Sequence, residues 1–125
     1  MSSETLHENS DKIGPKVVDQ HRAIVSLMEE LEAVDWYNQR AAATDDAELR
    51  AILEHNRDEE KEHAAMVLEW LRRSDTMLDQ HLRTYLFTDK AVTEVEAEAE
   101  AGGGDATDSG SGDGSLGIGS LKETR

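Results

Sequence analysis

Leu49-Arg50-Ala51-Ile52-Leu53-Glu54-His55-Asn56-Arg57-Asp58-Glu59-Glu60-Lys61-Glu62-His63-Ala64-Ala65-Met66-Val67-Leu68-Glu69-Trp70-Leu71 is the stretch on which the reading of this chain turns. Wound as an α-helix at about 100° per residue, it lines up Leu49, Ile52, Leu53, Asn56, Glu60, His63, Val67, Trp70 and Leu71 along one side. Glu60 and His63 thus fall inside an apolar stripe. Burying a carboxylate and an imidazole there costs on the order of several kcal/mol unless a proton, a partner side chain or a metal ion compensates. Glu-x-x-His sets the two side chains on adjacent turns of one face, the arrangement with which helix bundles hold a di-iron or di-manganese pair.

The whole composition narrows the options. The chain has 125 residues, enough for one domain, and carries 28 acidic against 13 basic residues for a net charge of −15. Such a field opposes sequence-independent binding to nucleic acid or anionic lipid and attracts divalent cations. With no cysteine, disulfides and thiolate ligands are excluded, so a metal site must use oxygen and imidazole donors, which suit iron, manganese or zinc. No segment approaches the roughly 20 apolar residues of a membrane span, and the acidic N-terminus lacks a charged-then-apolar signal. These features predict a soluble cytoplasmic protein with no membrane and no nucleic-acid partner.

Outward from the central stretch, the fold expected is all-α. Residues 1–15 read as a flexible polar arm or frayed turn closing on Pro15, a residue suited to the first turn of a helix. Val17, Ile24, Met28 and Leu31, with Val25 and Leu27 beside them, predict a first long helix reaching Trp36 or Ala42. Thr44-Asp45-Asp46 supplies a turn and an N-cap, and so short a connection makes the two long helices an antiparallel hairpin. Ser74-Asp75 caps a shorter third helix bearing Leu78, Leu82, Tyr85 and Leu86. Residues 16–89 form the helical domain on this reading, and 90–114 an acidic, then Gly/Ser-rich linker. Residues 115–125 follow as a terminal peptide whose Leu116, Ile118 and Leu121 are spaced like anchors for a partner's groove. The alternative for that peptide is an inert tail.

A two-helix hairpin has too little mutual surface to cover stripes this wide, so a homo-oligomer is expected. On the first helix Ala23, Leu27, Glu30, Val34, Tyr37 and Ala41 make a second line in which Glu30 is the only charge. One hairpin then offers Glu30, Glu60 and His63, half of the four carboxylates and two histidines of a four-helix di-metal site, and a twofold pairing of hairpins completes it. The plainer alternative is a Glu60–His63 hydrogen-bonded pair at the hairpin interface, which leaves Glu30 unexplained. Glu29 and Glu32 either gather cations at an approach to the site or form a solvated face. His55, Glu59 and Glu62 either make an accessory cation site or are simply solvated. Tyr37 lies one helical repeat from Glu30, within reach of hydrogen bonding a ligand, and both Trp36 and Tyr37 have interface packing as their other reading. His21 and His81 read as structural histidines.

The chain resembles the encapsulated ferritins, small ferritin-like cargo proteins of encapsulin nanocompartments. The likeness rests on His21-Arg22-Ala23-Ile24-Val25-Ser26, Met28-Glu29-Glu30-Leu31-Glu32-Ala33-Val34-Asp35-Trp36-Tyr37 and His55-Asn56-Arg57-Asp58-Glu59-Glu60-Lys61-Glu62-His63-Ala64-Ala65-Met66. It extends through Leu68-Glu69-Trp70-Leu71-Arg72-Arg73 to the tail Asp113-Gly114-Ser115-Leu116-Gly117-Ile118-Gly119-Ser120-Leu121-Lys122. The resemblance implies hairpins pairing between subunits into ferritin-like four-helix bundles, in a ring of ten chains without a storage cavity. It implies a ferroxidase that oxidises Fe(II) to Fe(III) with dioxygen at a di-iron centre between two subunits, ligated by Glu30, Glu60 and His63 of each. It further implies that Glu29 and Glu32 draw iron inward past Trp36, with Tyr37 in the outer shell. His55, Glu59 and Glu62 correspond to a peripheral site for calcium or another divalent cation. The C-terminal peptide would target the protein to the encapsulin shell, where mineral collects. Two rival readings remain: a metal-dependent oligomeric cargo or scaffold without turnover, and a plain helical interaction module. A haemerythrin-like carrier is disfavoured, because the five histidines lack the spacing across four helices of one chain that it needs.

Overall fold

A computed structural model describes residues 5–102. Four helices follow one another: α1 (Ser10–Ala43), α2 (Ala47–Ser74), α3 (Thr76–Tyr85) and α4 (Val92–Ala101), with no strand among the described residues. The all-α class expected from periodicity is the class observed.

Helix α1 begins with a short turn that Asn9 caps, its side-chain oxygen accepting the Asp11 N–H at 2.8 Å. Gly14 then breaks the helical geometry with φ 86°, a conformation open to glycine and strained for other residues. Pro15 follows directly. With φ fixed near the helical value and no N–H to satisfy, it starts the long uninterrupted run of α1. At the far end the Thr44 N–H closes on the Arg40 carbonyl, and the chain turns through Thr44, Asp45 and Asp46. Thr44 Oγ1 accepts the Asp46 N–H at 3.2 Å, and Asp46 accepts the Leu49 N–H at 2.8 Å as the N-cap of α2. Arg50 clamps the turn by donating to the carbonyls of Ala41 and Thr44.

The two long helices run antiparallel. Next along from the Arg50 clamp, Arg57 on α2 donates to Asn38 on α1 at 3.1 Å. At the opposite end Gln20 donates to the Ser74 carbonyl at 3.2 Å and to its hydroxyl at 3.3 Å. Ala41, Ala64 and Leu71 are the buried residues of the hairpin, small or apolar side chains that let the helices approach. Beyond them Ile24, Met28, Leu31, Ile52, Met66 and Trp70 stay exposed, Met66 by 60%. The interior of a single hairpin is thus a thin seam, as the width of the apolar stripes predicts. On the outside, Glu69 takes charge-assisted bonds from Arg72 at 2.7 Å and Arg73 at 2.6 Å, which hold its carboxyl down at about 2. Being partly exposed, the cluster contributes at most about 1 kcal/mol.

In α3, Leu78, Leu82 and Tyr85 are half-buried while Leu86 is exposed. The loop after it reverses at Phe87, whose φ of 63° is the one positive value at a non-glycine position among the described residues. The segment read as the acidic start of a linker is instead helical over Val92–Ala101. Its Glu and Ala residues are strong helix formers, and its buried Val95 gives it one apolar anchor. Lys90 ties onto Glu98 at 2.8 Å. Burial, with the nearby carboxylates of Glu96 and Glu100, raises the Tyr85 phenol above its ordinary value. Residues 1–4 of the expected arm lie outside the described residues. So do 103–114 of the expected linker and the whole terminal peptide with Leu116, Ile118 and Leu121.

Candidate metal centre

The middle of the hairpin brings three ligand-type side chains together. Glu30 comes from α1, and Glu60 and His63 come from successive turns of α2. His63 Nδ1 lies 3.2 Å from Glu60 Oε1 and 3.6 Å from Glu30 Oε1. One ligand atom from each residue can be chosen so that all lie within 4.8 Å of one another, the only such group among the described residues. The three are half-buried, with side-chain exposures of 27% for Glu30, 25% for Glu60 and 43% for His63. Antiparallel packing across the short turn produces this meeting, because it sets residue 30 opposite the Glu60–His63 turn.

The electrostatics mark a place prepared for positive charge. A hydrogen bond donated by the protonated Glu30 carboxyl to Glu60, with partial burial, pushes Glu30 above its usual range. The same bond, with that of His63, pulls Glu60 down. The two carboxyls are therefore driven apart, Glu30 toward its neutral form and Glu60 toward its charged one. His63 is raised above 6.5 by its hydrogen bond to Glu60 and by the charges of Glu30, Glu60 and Glu59. Two hard oxygen donors and one imidazole suit iron, manganese or zinc, and a cation there would relieve the repulsion between the two carboxyls.

A pH dependence follows with opposite signs for the free chain and for ion binding. Because its folded pKa is raised, protonated His63 contributes stability fully below about 6.5. That contribution fades as pH rises through the raised value. Cation binding needs the deprotonated imidazole, so uptake should strengthen over the same interval. Titration calorimetry with Co(II) in buffers of different ionisation heat should detect proton release that shrinks as pH rises past the His63 midpoint. In His63→Gln that part of the release should vanish.

The other residues singled out from the sequence fall in different places. Glu29, Glu32 and Trp36 form an exposed stripe on α1, and Tyr37 is half-buried on the Glu30 line. His55 and Glu59 approach to 3.8 Å on the surface of α2, and Glu62, though exposed beside them, does not join them in a ligand-sized cluster. His21 is half-buried, whereas His81, expected to be structural, is exposed. One feature went unread in the sequence: Arg40 Cζ lies 5.9 Å from the Trp36 ring centroid and 5.6 Å from that of Tyr37. The signal was present as aromatic residues three and four positions before an arginine on one helix.

An all-helical hairpin that meets in two carboxylates and an imidazole has the make-up of half a ferritin-like bundle. The EncFtn-like family model matches residues 5–89, and the chain belongs to that family. It is 61% identical over 126 aligned residues to the "Encapsulated ferritin-like protein" of Rhodospirillum rubrum, an alignment covering 97% of this chain and 90% of that one. The "Ferritin-like protein" of Thermotoga maritima is 56% identical over 94 residues, 75% of this chain and 82% of the relative. The encapsulin nanocompartment cargo protein EncC of Myxococcus xanthus is 37% identical over 59 residues, 47% of this chain and 45% of the relative. Among solved structures, protein ne0167 from Nitrosomonas europaea superposes with a TM-score of 0.67 at 59% identity, over 70% of this chain and 96% of that one. None of the helices among the described residues is long and apolar enough to cross a membrane.

Proposed function

We propose that this chain is a ferroxidase that oxidises Fe(II) to Fe(III) with dioxygen at a site completed by a second copy of itself, and supplies ferric iron for storage in an encapsulin shell. The observation that carries the reading is the convergence of Glu30, Glu60 and His63 from two helices on one half-buried spot. Each chain would furnish half the ligands of a di-iron centre, with the carboxylates able to bridge the two ferrous ions and the imidazoles fixing their geometry. The exposed faces bearing Ile24, Leu31, Ile52, Met66 and Trp70 would be covered in pairing, and the ring of ten chains is the larger assembly proposed.

Held side by side, two ferrous ions would each give one electron to the same dioxygen, which with two protons would leave as hydrogen peroxide, favouring paired transfer over release of a one-electron product. Within the chain, His63 and Glu30 would bind iron in their deprotonated forms, so any proton held there would leave as iron arrives. Glu29 and Glu32 would concentrate cations outside, Trp36 would border the approach, and Tyr37 would steady the ligands from the outer shell. His55, Glu59 and Glu62 would hold calcium or another divalent cation more weakly, in an assembly that supplies the ligands one surface lacks.

The deciding experiment adds Fe(II) aerobically to the full-length protein and follows ferric absorbance and oxygen consumption together. Oxidation well above buffer autoxidation is expected. Iron binding without faster oxidation would leave the chain a metal-dependent scaffold. The encapsulin role rests on the cargo names of the relatives and on the apolar triplet Leu116, Ile118 and Leu121. Replacing those three by Ser should leave oxidation by the isolated protein intact and abolish co-purification with a co-expressed shell. Retained co-purification would move the targeting signal elsewhere.

A further inference from the structure

In a chain with more than twice as many acidic as basic residues, an exposed arginine normally finds a carboxylate. The exposed Arg22, Arg73 and Arg83 do, as do the half-buried Arg57 and Arg72, while the half-buried Arg50 is taken up by the turn carbonyls. Arg40 has no ion pair among the described residues, and its guanidinium lies instead within about 6 Å of two ring centroids, those of Trp36 and Tyr37. Position along α1 gives this contact its meaning. Glu29, Glu32 and Trp36 follow one another at helical spacing on the exposed face, while Glu30 and Tyr37 lie a repeat apart on the inner line. Arg40 is four residues from Trp36 and three from Tyr37, so it stands where the outer stripe and the inner line meet.

We infer that Arg40 is a positioning residue that holds the Trp36 indole and the Tyr37 phenol as one stacked unit and thereby keeps open the approach of divalent cations to Glu30, Glu60 and His63. The inference rests on the proposed access route past Trp36. A planar, delocalised guanidinium can serve two rings at once, whereas an ammonium is a compact, strongly hydrated point charge that cannot stack. Released, the half-exposed indole samples rotamers that obstruct the route. Glu30, Glu60 and His63 are themselves unchanged, and the Tyr37 phenol remains on the inner line beside them, so final occupancy at saturating ion stays the same while the approach is slowed.

The test compares wild type, Arg40→Lys and Arg40→Gln in full-length protein carrying Trp70→Phe, so that Trp36 is the sole tryptophan. Circular dichroism checks that each is folded. Two signals are read: Trp36 emission with its anisotropy, and the stopped-flow rate at which Co(II), which dioxygen does not turn over here, develops its ligand-field absorbance. Both variants should show lower anisotropy and Co(II) association slowed severalfold, at unchanged final Co(II) occupancy. An Arg40→Lys protein like wild type would reduce the role of Arg40 to its charge and overturn the inference, as would unchanged Trp36 anisotropy or an unchanged association rate in either variant. Because Co(II) association is read without oxygen chemistry, absence of iron oxidation in the wild type would count against the ferroxidase reading alone.

Discussion

His63→Ala is expected to lower the rate of Fe(II) oxidation by on the order of 10²-fold or more, at about 1.4 kcal/mol per factor of ten, while helical content stays near wild type. The imidazole is the only nitrogen donor of the cluster, 3.2 Å from Glu60 and 3.6 Å from Glu30, and the oxygens alone bind ferrous iron less selectively. Its removal also leaves Glu30 and Glu60 facing each other without the cation that His63 supplies at low pH. The side chain is 43% exposed, so no large cavity results and the hairpin should hold. Stopped-flow ferric absorbance beside circular dichroism checks both halves of the statement. Wild-type turnover in this variant would remove the assignment; loss of helicity would transfer the effect from chemistry to folding.

Stripping divalent metal, or replacing Glu30 by Ala, is expected to shift the protein from paired or larger assemblies toward single hairpins. If each ion is held by residues of two chains, it binds the pair and not the separate chains. A free concentration of about 100 times Kd then stabilises the pair by about 2.7 kcal/mol, and that term disappears with the metal. The hairpin alone has little reserve, since no large side chain among its described residues is fully buried. Sedimentation velocity at one protein concentration, with and without chelator, should show the change in mass. An assembly of the same mass in all conditions would mean that apolar contact suffices and that the ion has no part in holding chains together.

Much of the fold is legible in the sequence. The periodicity of the Leu49–Leu71 stretch named the helix, Thr44-Asp45-Asp46 named the turn, and Pro15 named the start of the long run, because each is a local signal with a local cause. Glu30 stands out in the sequence as the lone charge on an otherwise apolar or small-residue line. Helix α4 is not legible as a helix, because alternation of Glu with Ala and Val reads equally as linker composition and as a run of good helix formers, and Val95 decides between the two only through its burial. His81 was misread because an amphipathic ten-residue helix leaves the rotation of its face to the tertiary contacts. The approach of Arg40 to Trp36 and Tyr37 is not legible because a surface arginine in an acidic chain is expected to pair with a carboxylate.

The clamp of Arg50 on Ala41 and Thr44 bears on how quickly the molecule is made. With the turn fixed by residues only six and nine positions apart, the hairpin can close from its tip outward, each new contact shortening the loop left for the next, down to the Gln20 and Ser74 contact at the open end. Chains of such low contact order fold in microseconds to milliseconds, whereas subunit docking takes milliseconds to minutes and depends on concentration. If the site is completed by a second copy as proposed, newly made chains should therefore wait as closed hairpins for a partner. Diluting them should slow assembly without slowing the appearance of helix.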